Sequence, residues 1–413
     1  MSTSLRFEMP SRLRMIAMAM AVVGLVMGVA SFFVYGDTPT RIWSSLLINN
    51  FYFLALGIAG AVIMAIGYVA HAGWNTVQKR IMEAMATYMP IGLLVMLLIG
   101  IFGMDHLYEW ANEELVAHDK VLQKKAWFLQ KEIYWGLTAF VLAVWTILIY
   151  MTRKNSIAED SEGGTRLFWK NYKISAGFMV VWGFSFCFAI FIWIMSLEPH
   201  WYSTIFAVYV FASVLVLGFT FLNVSGIYLK NKGFMPWFNA NHMHDNSKFM
   251  FAFSIFWGYI FVSQLLLIWY ANVPEETPYY ILRWGGLEGS DLNFYYLWYI
   301  NVILNFATPF LVFMTRDAKR KIKMIMIISG IMFIAKWIDF YLLIAPGSIK
   351  FANHMEHLNE AAHHTHAGFG LPEIGFFLLF AGLFIMVVGW ALSKANIVPK
   401  NHPYLMESLE HHV

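Results

Sequence analysis

Ten nearly unbroken apolar runs follow one another along this chain, divided by short polar segments that carry most of its charge and many of its prolines. They lie near 13–35, 42–71, 81–103, 128–151, 174–196, 201–229, 247–271, 293–315, 323–345 and 373–394. A helix needs roughly 20 such residues to cross a bilayer, so the pattern predicts ten transmembrane helices. The expected fold is an all-α polytopic membrane protein, a single membrane domain over 1–413. Runs two and six are long, which implies tilt or extension into the interface. Run one follows Arg6, Arg12 and Arg14 and could be taken for a signal peptide, but its apolar core exceeds the usual 7 to 15 residues and it is counted as a span.

Orientation follows from Lys and Arg. The N-terminus, alternate loops and C-terminus on one side hold most of the 28 basic residues, with clusters such as Arg316, Lys319, Arg320, Lys321 and Lys323 next to a span. Under the positive-inside rule both termini are cytoplasmic. The far side then carries two long connections. Residues 104–127 form a polar amphipathic segment with Asp105, His106, Glu109, Glu113, Glu114 and Asp119, and residues 346–372 include "NHMEHLNEAAHHTHAGFG". The far side also carries the bend "IMSLEPHWYSTIFAVY", where Glu198, Pro199 and His200 separate one apolar run from the next.

Composition fits this class: 59% hydrophobic, 18% aromatic and 13% charged, against roughly 25% charged in an ordinary soluble domain. A net charge of +3, scattered along the chain, does not suggest nucleic acid. The single cysteine, Cys187, reads as a small buried hydrophobe. It excludes an internal disulfide, a C-x-x-C-H haem attachment and cysteine-ligated iron–sulfur or zinc sites. The fourteen histidines fall at span ends or in loops, so the paired mid-membrane ligands of a cytochrome b are not expected. Gly24 and Gly28 offer a small-residue contact face in the first span.

Charged groups in hydrocarbon are costly by at least about 2.5–3.5 kcal/mol, so each calls for a partner or a task. Lys336 and Asp339 in "IAKWIDFYLL" are three apart and can share a helix face, as a structural ion pair or as proton carriers. Glu132 lies one turn into span four, Gln264 near the far-side end of span seven, Asn49 and Asn50 inside span two, and Asn301 and Asn305 near mid-depth in span eight. Asp105, His106, Glu132, Glu198, His200, Gln264, Lys336 and Asp339 thus gather in or beside the far-side leaflet, where tunable groups could relay protons. Glu198 and His200 could equally cap a tight hairpin after Pro199 ends span five. His242, His244 and Asp245 stand at the cytoplasmic start of span seven, as a proton mouth or a solvated cap. The histidine-rich stretch 354–366 could bind metal or lie against another protein, and no metal ligands are assigned in it.

Two stretches, "SLEPHWYSTIFAVYVF" (196–211) and "FWGYIFVSQLLLIWYANVPEETPYY" (256–280), resemble the second large membrane subunit of bacterial alternative complex III, of the polysulfide-reductase membrane-subunit (NrfD-like) family. The likeness covers essentially the whole chain. Glu198, Pro199, His200 and Trp201 match the family's hairpin motif; Gln264, Trp269, Asn272, Pro274, Glu275 and Glu276 match the second. The resemblance implies two four-helix bundles, 42–196 and 201–345, with peripheral helices at 13–35 and 373–394. It implies a bacterial inner-membrane quinol:electron-acceptor oxidoreductase in which this chain has no redox centre and no covalently bound cofactor. Haem c and iron–sulfur clusters would sit in partners: a homologous ten-helix membrane subunit, multihaem and monohaem cytochromes c, an iron–sulfur subunit with a molybdopterin-enzyme-like region, and in some assemblies a terminal oxidase, all among lipids. The main quinol site is expected in the homologous subunit. Binding of quinol or menaquinol by this chain is left open, with proton-pathway candidates Asp105, His106, Glu132, Glu198, His200, His242, Asp245, Gln264, Lys336 and Asp339. A scaffold for cytochrome subunits is the alternative. A secondary transporter fits less well, because broken helices and mid-depth charge are scarce.

Overall fold

In the computed structural model, residues 6–284, 294–358 and 368–411 are described, without the side chains of 356–358. Ten helices are long and apolar enough to cross a membrane: Ser11–Val34, Pro39–Val69, Thr76–Phe102, Lys131–Glu162, Arg166–Leu197, Phe206–Asn231, Ala240–Ala271, Tyr295–Val312, Ile322–Met355 and Leu371–Ser393. They correspond one to one with the ten apolar runs and are called the first to tenth spans. Apart from an isolated bridge between Arg6 and Asn396, the described residues form no β pairing.

Several helices outrun their apolar cores. The fourth continues to Glu162, the fifth begins at Arg166 and the seventh at Ala240, because backbone hydrogen bonding continues after hydropathy falls. These extensions bury polar faces. Lys79 pairs with Glu159 at 3.3 Å, Arg80 with Glu83 at 2.8 Å and with Asp160 at 2.9 Å, and Ser156 Oγ donates to Glu83 at 2.5 Å. Lys79 and Arg80, which hydropathy puts outside the third span, are therefore buried and ion-paired within it.

The second and sixth spans form the centre and are largely buried, whereas little of the first and eighth is buried. The second packs on the third, fifth, ninth and tenth. The sixth packs on the seventh and ninth and meets the second and fifth. The eighth touches the seventh and ninth, and is interrupted by a π turn at Ile303–Ala307 before Pro309. The first span lies along the tenth, where a Cβ on Gly24 would meet the Leu379 amide nitrogen at 2.2 Å and one on Gly28 would meet the Phe376 ring at 2.8 Å. Gly24→Val should therefore lower stability by about 1–3 kcal/mol through overpacking, read as a reduced unfolding midpoint in detergent. An unchanged midpoint would mean this helix pair is loosely held.

Contacts define two ends. One carries the connections after the odd-numbered spans, where Thr40 Oγ1 donates to the His106 carbonyl at 2.8 Å and Lys125 Nζ to the Pro199 carbonyl at 2.5 Å. At the other, the segment after Ser393 runs as a strap across several spans. The Lys400 amide donates to Asp160 at 2.9 Å, Tyr404 Oη meets His71 Nδ1 at 3.3 Å, the Val77 amide donates to Ser408 Oγ at 3.1 Å, and His411 Nε2 meets Asp245 Oδ2 at 2.5 Å. Burial, with Lys79 and Arg80 nearby, pushes the His402 imidazole in this strap down to about 2 from 6.5. A histidine held neutral when folded contributes stability that is complete above about pH 6.5 and declines as pH falls from there toward about 2. The strap should loosen across that acid window, seen as faster amide exchange over 394–411. His402→Phe should abolish the pH dependence, and its persistence would assign the effect to another group.

Candidate functional site

Asp339 is the most heavily engaged buried carboxylate of the second half of the chain. It sits midway along the ninth span and is completely buried, as is Lys336 one turn earlier. Four neighbouring side chains donate to it. Tyr209 and Ser213 come from the sixth span, the latter at 2.6 Å; Trp257 Nε1 reaches it from the seventh at 3.1 Å and Asn301 Nδ2 from the eighth at 3.2 Å. Lys336 Nζ lies 3.7 Å from Asp339, 3.4 Å from Ser213 Oγ and 4.7 Å above the Trp257 ring. Four spans thus converge on one acid–base pair. Asn305, in the π turn, donates to the Asn301 carbonyl and to the Ala335 carbonyl, each at 3.1 Å, which ties the register of the eighth span to the ninth.

A cavity of about 20 Å³ lies beside this pair, bounded by Tyr209, Gln264, Tyr279, Arg283, Asn301 and Asp339. That is room for about one water, with polar atoms around it to bind one. Gln264 closes one side, accepting from Ser203 Oγ at 3.3 Å and donating to Tyr280 Oη at 3.4 Å. Arg283 closes the other and bridges outward: Nη2 donates to Glu198 at 2.6 Å, Nη1 to the Tyr279 carbonyl at 2.7 Å and Nε to the Leu342 carbonyl at 3.1 Å.

Local sequence explains how Arg283 is held. The ninth helix continues through Pro346, where the expected span stopped; proline has no N–H, so the carbonyl four residues earlier loses its helical donor. That carbonyl is Leu342, and Arg283 supplies the missing hydrogen bond. Next to it, a Cβ on Gly347 would meet Glu198 Cγ at 2.8 Å and the Leu197 carbonyl at 3.1 Å, so glycine is what lets the bend after the fifth span approach the ninth. The Arg283 guanidinium lies 3.6 Å from the centre of the Tyr279 ring, which stacks on Trp201 at 3.9 Å and 13°. Burial alone would weaken the Arg283 charge, but the Glu198 carboxylate leads the opposing influences and its pKa stays above the ordinary range. Burial pushes the Tyr279 phenol well up, so it stays protonated.

Beyond Glu198 a vestibule of about 510 Å³ opens, shared by Glu198, His200, Trp201, Tyr279, Lys350 and His354. His200 does not meet Glu198; it pairs with Asp119 at 2.5 Å and lies 3.6 Å from Glu109. Desolvation is the largest single influence and opposes the Asp119 charge, but His200 and the Leu122 and Val121 amides together outweigh it and lower its pKa. The polar segment 104–127 therefore folds over the bend as short helices, Glu113–His118 and Lys120–Lys125, capped by Asn112 and Asp119.

The other candidates lie elsewhere. Asp105 is exposed and paired with Lys131 at 2.9 Å; the exposed His106 contributes its backbone carbonyl to Thr40; Glu132 is exposed, with no hydrogen bond or ion pair among the described residues. These three do not join Asp339. His242 and Asp245 stand at the opposite end of the seventh span. There His242 completes the Asn239 capping box, and Asp245 pairs with Lys248 at 2.6 Å and with His411. Between that end and Lys336 the buried polar groups include Ser247, Asn246 and Asn223, which hydrogen-bond together with Gln78, and the hydroxyls of Ser254 and Ser329, which have no partner among the described residues.

Of the histidine-rich stretch, His354 lines the vestibule; the His357 side chain and His363, His364 and His366 fall outside the described residues. Among the described residues no three His, Cys, Asp or Glu converge as a metal site. Arg283, Tyr209, Ser213, Trp257 and Tyr279 do not stand out in the sequence. Pro346-Gly347 inside a long helix is the signal that points to Arg283 and Glu198. No protein-family model and no curated protein matches the chain.

Proposed function

We propose that the Asp339–Lys336 pair is the central station of a transmembrane proton path in a membrane subunit of a quinol oxidoreductase resembling alternative complex III. The observation that carries this reading is a buried acid–base pair on the ninth span, held by donors from three other spans and leading through a water-sized cavity to Arg283, Glu198 and an open vestibule. On this reading spans two to five and six to nine are two four-helix bundles, both termini face the cytoplasm of a bacterial inner membrane, and the vestibule faces outward. The outer half-path runs Asp339, the cavity, Glu198, vestibule. The inner half-path begins near Asp245 and His242 and steps through Asn246, Asn223, Ser254 and Ser329.

The chain supplies proton routes, and the redox steps belong to partners carrying haem c and iron–sulfur clusters. A quinol at the vestibule would find acceptors in Glu198 and His200 and an aromatic wall in Trp201. The chemistry it supplies when bound is two electrons and two protons. The scaffold alternative draws on the same pair, because a buried ion pair whose carboxylate takes donors from three neighbouring spans also fixes helix register.

Affinity purification from native membranes tests the class. A haem c-rich complex with a second ten-helix subunit is the expected result. An isolated homo-oligomer that takes up solute into vesicles would overturn it.

A further inference from the structure

A second built feature lies on the outer flank, between the ninth and tenth spans. A groove of about 290 Å³ is walled by Phe333, Ile334, Trp337, Phe369, Ile374 and Phe377, with Glu373 at its upper end. It opens sideways: Ile334, Ile374 and Phe369 are 60%, 50% and 56% exposed. Trp337, Tyr341 and Phe369 stack above it, with Phe369 at 5.5 Å and 18° from Tyr341.

Its upper end is polar. Arg41 grips Glu373 with Nε at 3.0 Å and Nη2 at 3.1 Å, and Glu373 also takes Ser45 Oγ at 2.9 Å and the Gly370 amide at 2.8 Å. Nη1 of Arg41 and the Tyr35 hydroxyl have no hydrogen-bond partner among the described residues. The Tyr35 ring lies under the guanidinium at 4.8 Å. A Cβ on Gly370 would come within 2.9 Å of Arg41 Nη2, the atom bonded to Glu373, and 3.3 Å of Tyr35 Oη, so glycine leaves room for the guanidinium and the hydroxyl.

The levels match an amphipathic molecule standing in a leaflet. Arg41 and Glu373 are each the third residue of their spans, at the interface, whereas Phe377 is one turn, about 6 Å, deeper. Guanidinium is a strong phosphate donor, and the groove below presents hydrocarbon alone.

We propose that this groove holds one membrane phospholipid, its phosphate on Arg41 and Tyr35 and one acyl chain between the ninth and tenth spans. Native mass spectrometry of the full chain, or of its complex, in mild detergent tests it with added phosphatidylglycerol or phosphatidylethanolamine. Wild type should retain one phospholipid and gain thermal stability from readdition after delipidation. Ile374→Trp, which fills the groove, and Gly370→Ala, which crowds Arg41 Nη2 and the Tyr35 hydroxyl, should both lose the bound lipid and the thermal shift.

Equal retention by wild type and both variants would overturn the proposal, as would a wild type that carries no lipid and gains no stability from readdition. Loss in Ile374→Trp but not in Gly370→Ala or Arg41→Gln would show hydrocarbon binding without a phosphate seat, and would overturn the assignment of the headgroup. Recovery of a prenylated quinone in place of phospholipid would overturn the choice of occupant.

Discussion

Replacing Lys336 with Met is expected to destabilise the protein by about 3–5 kcal/mol, because it leaves Asp339 as an uncompensated buried charge. Tyr209, Ser213, Trp257 and Asn301 would still donate to the carboxylate, but hydrogen bonds alone do not offset its lost hydration. The double change Lys336→Met/Asp339→Asn should recover most of the loss, since a neutral amide keeps an acceptor for Ser213 or Tyr209 and no ion is left buried. Unfolding midpoints in detergent read both effects. If the single and double variants are equally unstable, the pair is not the coupled unit described here. The double variant also separates the two functional readings: a scaffold would work with the neutral pair, whereas a relay would not.

A second large loss is expected at Arg283. Arg283→Met removes hydrogen bonds to Glu198, Tyr279 and Leu342 and a stacked cation, and uncovers the carbonyl left free by Pro346. The cost should be about 3 kcal/mol, at the low end for a broken buried pair, because Glu198 borders the vestibule and keeps some hydration. Arg283→Lys should not rescue it, because an ammonium cannot span three acceptors held in a fork. Gly347→Val should produce a related defect without removing either ion, by pushing Glu198 away. Full stability in Arg283→Lys would show that charge alone matters, and that the fork geometry does not.

The ten spans were legible because bilayer crossing is written in local composition, one run at a time. Helix ends were less so: the fourth, fifth, seventh and ninth helices run on through residues whose burial depends on distant partners, such as Glu159 against Lys79. Lys336 and Asp339 declared themselves by cost, being charges in hydrocarbon at a spacing that lets them pair. Glu198 stood out at its bend, but its partner did not. Arg283 lies in a connection where a basic residue is ordinary, and its burial depends on Pro346 and Gly347 some sixty residues later. Side of the membrane was also too coarse a guide. Asp105, His106 and Glu132 share an end with Glu198, yet they cluster around the third and fourth spans with their side chains exposed. Depth along a span carries no information about which helix faces which.

The most direct test is proton movement by the intact complex in sealed vesicles, followed with a pH-sensitive dye, for wild type, Asp339→Asn and the stability-matched Lys336→Met/Asp339→Asn. The proposed path predicts that the double variant assembles with its partners and that both variants lose proton-coupled turnover by about tenfold or more, equivalent to at least about 1.4 kcal/mol on the barrier. Wild-type proton yield and turnover in the double variant would contradict it.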